Sequence, residues 1–143
     1  DDNGDDDDDN GNNGALPNNV ANYIRNNYAG YRIDNWHNED LCDSRLVLKV
    51  ELEDGPGPDL DLYFNPAGEF LFAAKEIKTS DLPSAVRNAI TTNFPGYRID
   101  DDKSERFQLS NGSFQYKVEL ERNSGSDIKV IFDATGALLC RKS

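Results

Sequence analysis

The residues of this chain that could do chemistry are few, and their spacing sets the first limits. There is one histidine, His37, and two cysteines, Cys42 and Cys140. A single imidazole can build neither a His-based triad nor a multi-histidine metal site. The cysteines lack C-x-x-C spacing and so cannot make a zinc site. As a disulfide they would close a long loop, worth about 4 kcal/mol on the entropic model. The preferred reading is instead two buried free thiols acting as small core residues. No G-x-S-x-G elbow, P-loop or G-x-G-x-x-G run is present. The acids Asp100-Asp101-Asp102, Glu119 and Glu121 read as solvated loop and strand faces, since spacing alone shows no pair with split pKa values. The chain is therefore read as a non-enzyme, and no catalytic residue is assigned.

The remaining chemical candidate is a cation site. Asp6-x-Asp8-x-Asn10-Gly11 copies the first half of an EF-hand loop. The twelfth position, which should supply a bidentate Glu, is Pro17, and proline cannot ligate. Asp6, Asp8 and Asn10 are thus weak calcium candidates; no dedicated metal site and no other cofactor is expected.

Composition narrows the class further. Residues 1–14 carry seven Asp and no apolar side chain, so they offer nothing to bury and read as a disordered leader. They supply −7 of the formal −12, leaving −5 on residues 15–143. An acidic body argues against nucleic acid as a partner, whose phosphates it would repel. No run approaches the ~20 apolar residues needed for a membrane-spanning helix. The chain opens on Asp, so any signal region is expected to lie upstream.

The elements that must position any site come in duplicate. Leu16-Pro17 through Tyr31-Arg32-Ile33-Asp34 returns 66 positions later as Leu82-Pro83 through Tyr97-Arg98-Ile99-Asp100. Lys49-Val50-Glu51-Leu52-Glu53 returns after 68 positions as Lys117-Val118-Glu119-Leu120-Glu121. Asp59 to Gly68 matches Asp127 to Gly136 at the same offset. Leu16, Val20, Ile24 and Tyr28 step by four, as do Leu82, Val86, Ile90 and Phe94, giving each copy one amphipathic helix. Pro17 and Pro83 suit the first turn, Ser80 or Asp81 the second cap, and Gly30 and Gly96 a left-handed stop. Period-two alternation then gives strands with one apolar and one polar face. Asn65-Pro66-Ala67-Gly68, Asp133-Ala134-Thr135-Gly136 and Asn111-Gly112 read as turns. The expected fold class is α+β, a tandem repeat of one helix followed by a four-stranded antiparallel meander. The expected organisation is the leader 1–14, repeat 15–78 and repeat 79–143.

Alternation also proposes an interaction face. Arg32, Asp34 and Trp36 share one side of the first strand, with Lys49 and Tyr63 on its neighbours. Arg98, Lys117 and Ile131 join them in the second copy. A wet sheet face has no need of Trp36, Tyr63 or Ile131, and aromatics among cations are what interface hot spots contain. Arg32, Trp36, Lys49, Tyr63, Arg98, Lys117 and Ile131 are the candidate partner-binding residues.

The order Leu-Pro, Val, Ile, aromatic, Gly-Tyr-Arg-Ile-Asp, alternating strand and Asp/Asn-x-x-Gly turn, present twice over residues 15–143, resembles the PepSY-like family of secreted Bacteroidetes proteins. That resemblance implies a β-lactamase-inhibitory-protein-like fold and export to the periplasm or cell surface. The acidic leader resembles the export signal that follows the lipidated cysteine of Bacteroidetes lipoproteins, so a lipid anchor upstream of Asp1 is a further expectation. The leading functional reading is a secreted binding module that docks a protein or peptide of the cell envelope on its outer sheet face. The alternatives are a calcium-responsive envelope protein using the leader, and an inhibitor of a protease or β-lactamase.

Overall fold

The computed structural model describes residues 15–42 and 45–142. The leader and the calcium candidates Asp6, Asp8 and Asn10 lie outside the described residues. Two compact units are present. The first comprises residues 15–40 and 45–73; the second comprises Leu41, Cys42 and residues 74–142.

In the first unit, α1 (Asn18–Asn27) precedes β1 (Arg32–Asp40), β2 (Leu46–Glu53), β3 (Leu60–Phe64) and the start of β4 (Phe70–Ile77). The strand order is β1-β2-β3-β4. Val20 and Ile24 of the helix stripe are buried against Val50 and Leu52 of β2 and Leu62 and Phe64 of β3. Each such side chain contributes about 1.5–3 kcal/mol on removal from water. In the second unit, α2 (Ser84–Asn93) precedes β5 (Arg98–Ile99), β6 (Ser104–Leu109), β7 (Phe114–Glu121), β8 (Ile128–Asp133) and β9 (Leu138–Lys142). Here Leu82, Val86, Ile90 and Phe94 are buried against Val118, Leu120, Val130 and Phe132. β7 pairs antiparallel with β5, β6 and β8, and β9 pairs antiparallel with β8.

The chain is thus α+β, with two helices and nine strands among the described residues. The expected four-strand meander needs a correction in the second copy, which has β5 and β6 where the first has β1 alone. The cause is a two-residue insertion, visible as the change of offset from 66 to 68. The extra residues cannot pair with β7, and they loop out as a turn closed by Lys103 N–H on the Asp100 carbonyl, 3.2 Å.

The helix ends follow from local chemistry. Gly30 and Gly96 adopt φ of +95° and +86°, the left-handed region that stops a helix. Pro17 and Pro83 sit one position earlier than expected, at the cap, with extended ψ of 143° and 145°. Neither Ser80 nor Asp81 caps α2. The Asp81 carboxylate instead accepts the Lys78 N–H at 3.1 Å and closes a single 3₁₀ turn, Thr79–Asp81.

Candidate functional site

The face proposed from alternation is not a wet one. Tyr63 is 0 % exposed and Ile131 2 %, and Lys117 is only 6 % exposed. Tyr63 and Phe72 place their ring centroids 4.8 Å apart, and Val47, Ala74 and Phe107 are buried as well. The charges that made this face look solvated are tolerated because they are paired. Lys117 Nζ lies 3.4 Å from Glu105 Oε1 with both side chains nearly covered, and Lys49 Nζ lies 3.7 Å from Asp61 Oδ2. Buried charges persist only with such partners. Tyr63, Ile131, Lys117 and the half-covered Lys49 therefore cannot present themselves to a partner as expected.

Trp36 is corrected for a different reason. Ile33 pairs with Leu52 but Asn35 with Glu51, a bulge at Asp34. One extra residue turns all that follow onto the opposite face. Trp36 thereby stands opposite Val50 and packs on the Val20–Ile24 core instead of pointing outward. Its indole Nε1 is buried and has no acceptor among the described residues. Beside it is a small cleft of about 180 Å³, lined by Pro17, Trp36, His37, Leu48 and Pro66. His37 Nε2 lies 3.2 Å from Glu39 Oε1. Neither cysteine offers a thiol to this imidazole. Cys42 and Cys140 form a disulfide within the second unit, with Cα atoms 5.6 Å apart, which overturns the free-thiol reading. Their separation of 98 residues hid the pairing from local pattern.

Arg32 and Arg98 remain exposed, with side chains 54 % and 59 % accessible. Arg32 is already committed, since it donates to Asp34 (3.1 Å), Glu53 (2.8 Å) and Asp54 (2.9 Å). The hydrogen bonds to Asp54 and then Asp34 hold its pKa above the usual arginine value. Glu53 is raised, first by desolvation and then by the Asp34 charge. Arg98 makes fewer bonds, to Glu121 (2.9 Å) and Asn123 (3.0 Å).

Arg98 also borders the larger concavity, which alternation did not point to. The C-terminal turns of α2 and strand β5 enclose an open groove of about 470 Å³. Ile90, Phe94, Tyr97 and Ile99 supply its apolar lining, and Arg87 and Arg98 its cations. The helix stop creates it, because Gly96 turns the chain back with nothing within 4 Å of where its Cβ would be. Arg122 stacks its guanidinium 5.1 Å from the Tyr97 ring centroid. A cationic rim over an apolar floor suits an extended polypeptide bearing carboxylates. The only sequence signal for this site was the spacing of Arg87, Tyr97 and Arg98 around the glycine stop. Among the described residues no three His, Cys, Asp or Glu side chains group to hold a metal ion. No described helix is long and apolar enough to cross a membrane.

Comparison with known proteins agrees with the fold. A DUF2874 family protein from Bacteroides uniformis ATCC 8492 superposes with a TM-score of 0.65 at 16% identity, covering 90% of this chain and 89% of that one. A BLIP-like protein from Bacteroides fragilis NCTC 9343 gives 0.58 at 20% identity, covering 90% and 88%. A second DUF2874 family protein, from Bacteroides ovatus ATCC 8483, gives 0.61 at 12% identity, covering 90% and 88%. No curated protein matches the sequence. The family model described as "Putative beta-lactamase-inhibitor-like, PepSY-like" matches residues 12–72 and again 47–140, two overlapping segments that span the duplicated body. The chain belongs to this PepSY-like family.

Proposed function

We propose that this protein is an exported, non-enzymatic binding module that docks a polypeptide partner in the groove between α2 and β5. The groove itself carries the reading: an open apolar floor with Arg87 and Arg98 at its rim, in a chain whose formal charge is −12. Cations placed against that overall sign are local recognition elements rather than a general surface property. Export is supported by the Cys42–Cys140 disulfide, a bond that persists in oxidising compartments. The absence of catalysis is supported by the chemistry around the single histidine, which lies against Glu39 and has no thiol to activate. The BLIP-like neighbour supports protein binding by analogy of fold alone.

The test is site-specific photo-crosslinking in cells that export the protein. A benzophenone at exposed Thr91, which borders the groove, should give an adduct with a discrete envelope protein, and Arg87→Glu should abolish it. Equal adducts from a probe at Asn26 on α1, or adducts indifferent to Arg87→Glu, would overturn the reading.

A further inference from the structure

The two copies treat one groove in opposite ways, and the difference identifies its occupant. The stop-and-strand segment Gly30-Tyr31-Arg32 of the first copy corresponds to Gly96-Tyr97-Arg98 of the second. In the first unit that surface is covered by the chain's own β2–β3 loop, Asp54-Gly55-Pro56-Gly57-Pro58-Asp59. The Pro56 ring lies 3.4 Å from where a Cβ of Gly30 would be. Gly55 is so close to the Tyr31 ring that any Cβ there would stand 2.3 Å from it. The Tyr31 hydroxyl donates to the Pro58 carbonyl at 2.9 Å.

The equivalent loop of the second unit is equally long but reads Arg122-Asn123-Ser124-Gly125-Ser126-Asp127. It has no proline. Arg122 folds onto Tyr97, and the space over Gly96 stays open. The acids Glu53 and Asp59 have counterparts in Glu121 and Asp127, but Asp54 is replaced by Arg122 and Ala21 by Arg87, so the second unit presents Arg87 and Arg122 beside Arg98.

We infer that the second-unit groove binds an extended, acidic, Pro-Gly-containing segment of a partner polypeptide, in the way the first unit binds its own Pro56–Pro58 loop. Proline keeps such a segment extended before binding, so little conformational entropy is lost on docking. The Tyr97 hydroxyl is placed to donate to a backbone carbonyl as Tyr31 does, and the arginines select the acidic flanks. This inference rests on the proposed binding role and adds the chemistry of the ligand.

Fluorescence anisotropy of the full chain with a labelled Glu-Asp-Gly-Pro-Gly-Pro-Asp peptide, copying residues 53–59, tests it. Saturable binding is expected, weakened about tenfold by Arg87→Glu, the scale of one charge-assisted hydrogen bond, and weakened less by Tyr97→Phe. A peptide with both prolines replaced by Ala should bind several-fold more weakly. Failure of the wild-type chain to bind the peptide, or binding that is indifferent to Arg87→Glu or to loss of the prolines, would overturn it. The crosslink from Thr91 separates the two failures: an adduct lost with Arg87→Glu beside a peptide that does not bind leaves the groove a docking site and removes only this ligand. Absence of both removes the binding role too.

Discussion

The two units were built from one pattern, yet each spends its polar residues differently. The first closes its helix-stop surface with its own proline loop, commits Arg32 to three carboxylates and carries no disulfide. The second leaves that surface open, holds Arg98 by two bonds, buries a full ion pair and contains the Cys42–Cys140 bridge. The disulfide and the most deeply buried ion pair, Lys117–Glu105, lie in the unit that leaves apolar surface open.

The bridge should have the largest effect on that comparison. Replacing Cys42 and Cys140 by Ser should lower stability by about 4 kcal/mol, the scale for closing a loop of this length. Denaturant titration of the variant, with and without reductant on the wild type, checks it. The ion pair comes next. Glu105 stands where the first unit has His37, each opposite a lysine, Lys117 and Lys49. Glu105→Gln removes the carboxylate from a buried ion pair and should cost about 3 kcal/mol, whereas His37→Gln at its half-buried site should stay within about 1 kcal/mol. Equal losses would erase the distinction between the units.

The hairpin turns offer a finer test. Gly68 and Gly136 both have positive φ, +85° and +88°. A Cβ on Gly136 would stand 2.6 Å from the Ala85 carbonyl oxygen, a backbone atom that cannot step aside. A Cβ on Gly68 would meet the Asn19 side chain, which can rotate away after losing its bond to the Ala67 carbonyl. Gly68→Ala should cost about 1–2 kcal/mol from backbone strain alone, and Gly136→Ala distinctly more, as read by thermal melts.

Much of this was legible. The i, i+4 stripes placed both helices, the glycine stops marked their ends, and period-two alternation located β2, β3, β7 and β8. Three features were not. The bulge at Asp34 sends Trp36 to the core side and leaves no mark on the local pattern, because only pairing to β2 defines it. Lys117 read as solvent-facing because a sequence shows the charge and not its partner Glu105, twelve residues away. The disulfide depends on a juxtaposition across 98 residues. That the groove stays open was readable by setting the copies side by side, since one loop has prolines and its counterpart does not.

The smallest effect concerns acid. The Thr135 hydroxyl first, then backbone N–H groups, hold the Asp133 pKa below its ordinary 3.8. A lowered folded pKa means stability present above the unfolded value and lost as pH falls through the folded one, hence below about pH 4. The counterpart Asn65 makes a similar bond to the Glu69 N–H at 2.9 Å but does not titrate. Asp133→Asn should therefore flatten the acid limb of the stability curve; an unchanged slope would assign that limb to other carboxylates.

Whether the groove is filled from within or from outside should depend on the loop. This can be tested by giving the second unit the first unit's loop through Arg122→Asp, Asn123→Gly, Ser124→Pro and Ser126→Pro. The decisive measurement is anisotropy of the labelled Glu-Asp-Gly-Pro-Gly-Pro-Asp peptide with this variant, alongside its melting curve. The graft should fold with an undiminished cooperative melt and bind no peptide, because the grafted prolines cover Gly96 and Tyr97. A folded graft that binds the peptide as tightly as the wild type would contradict it.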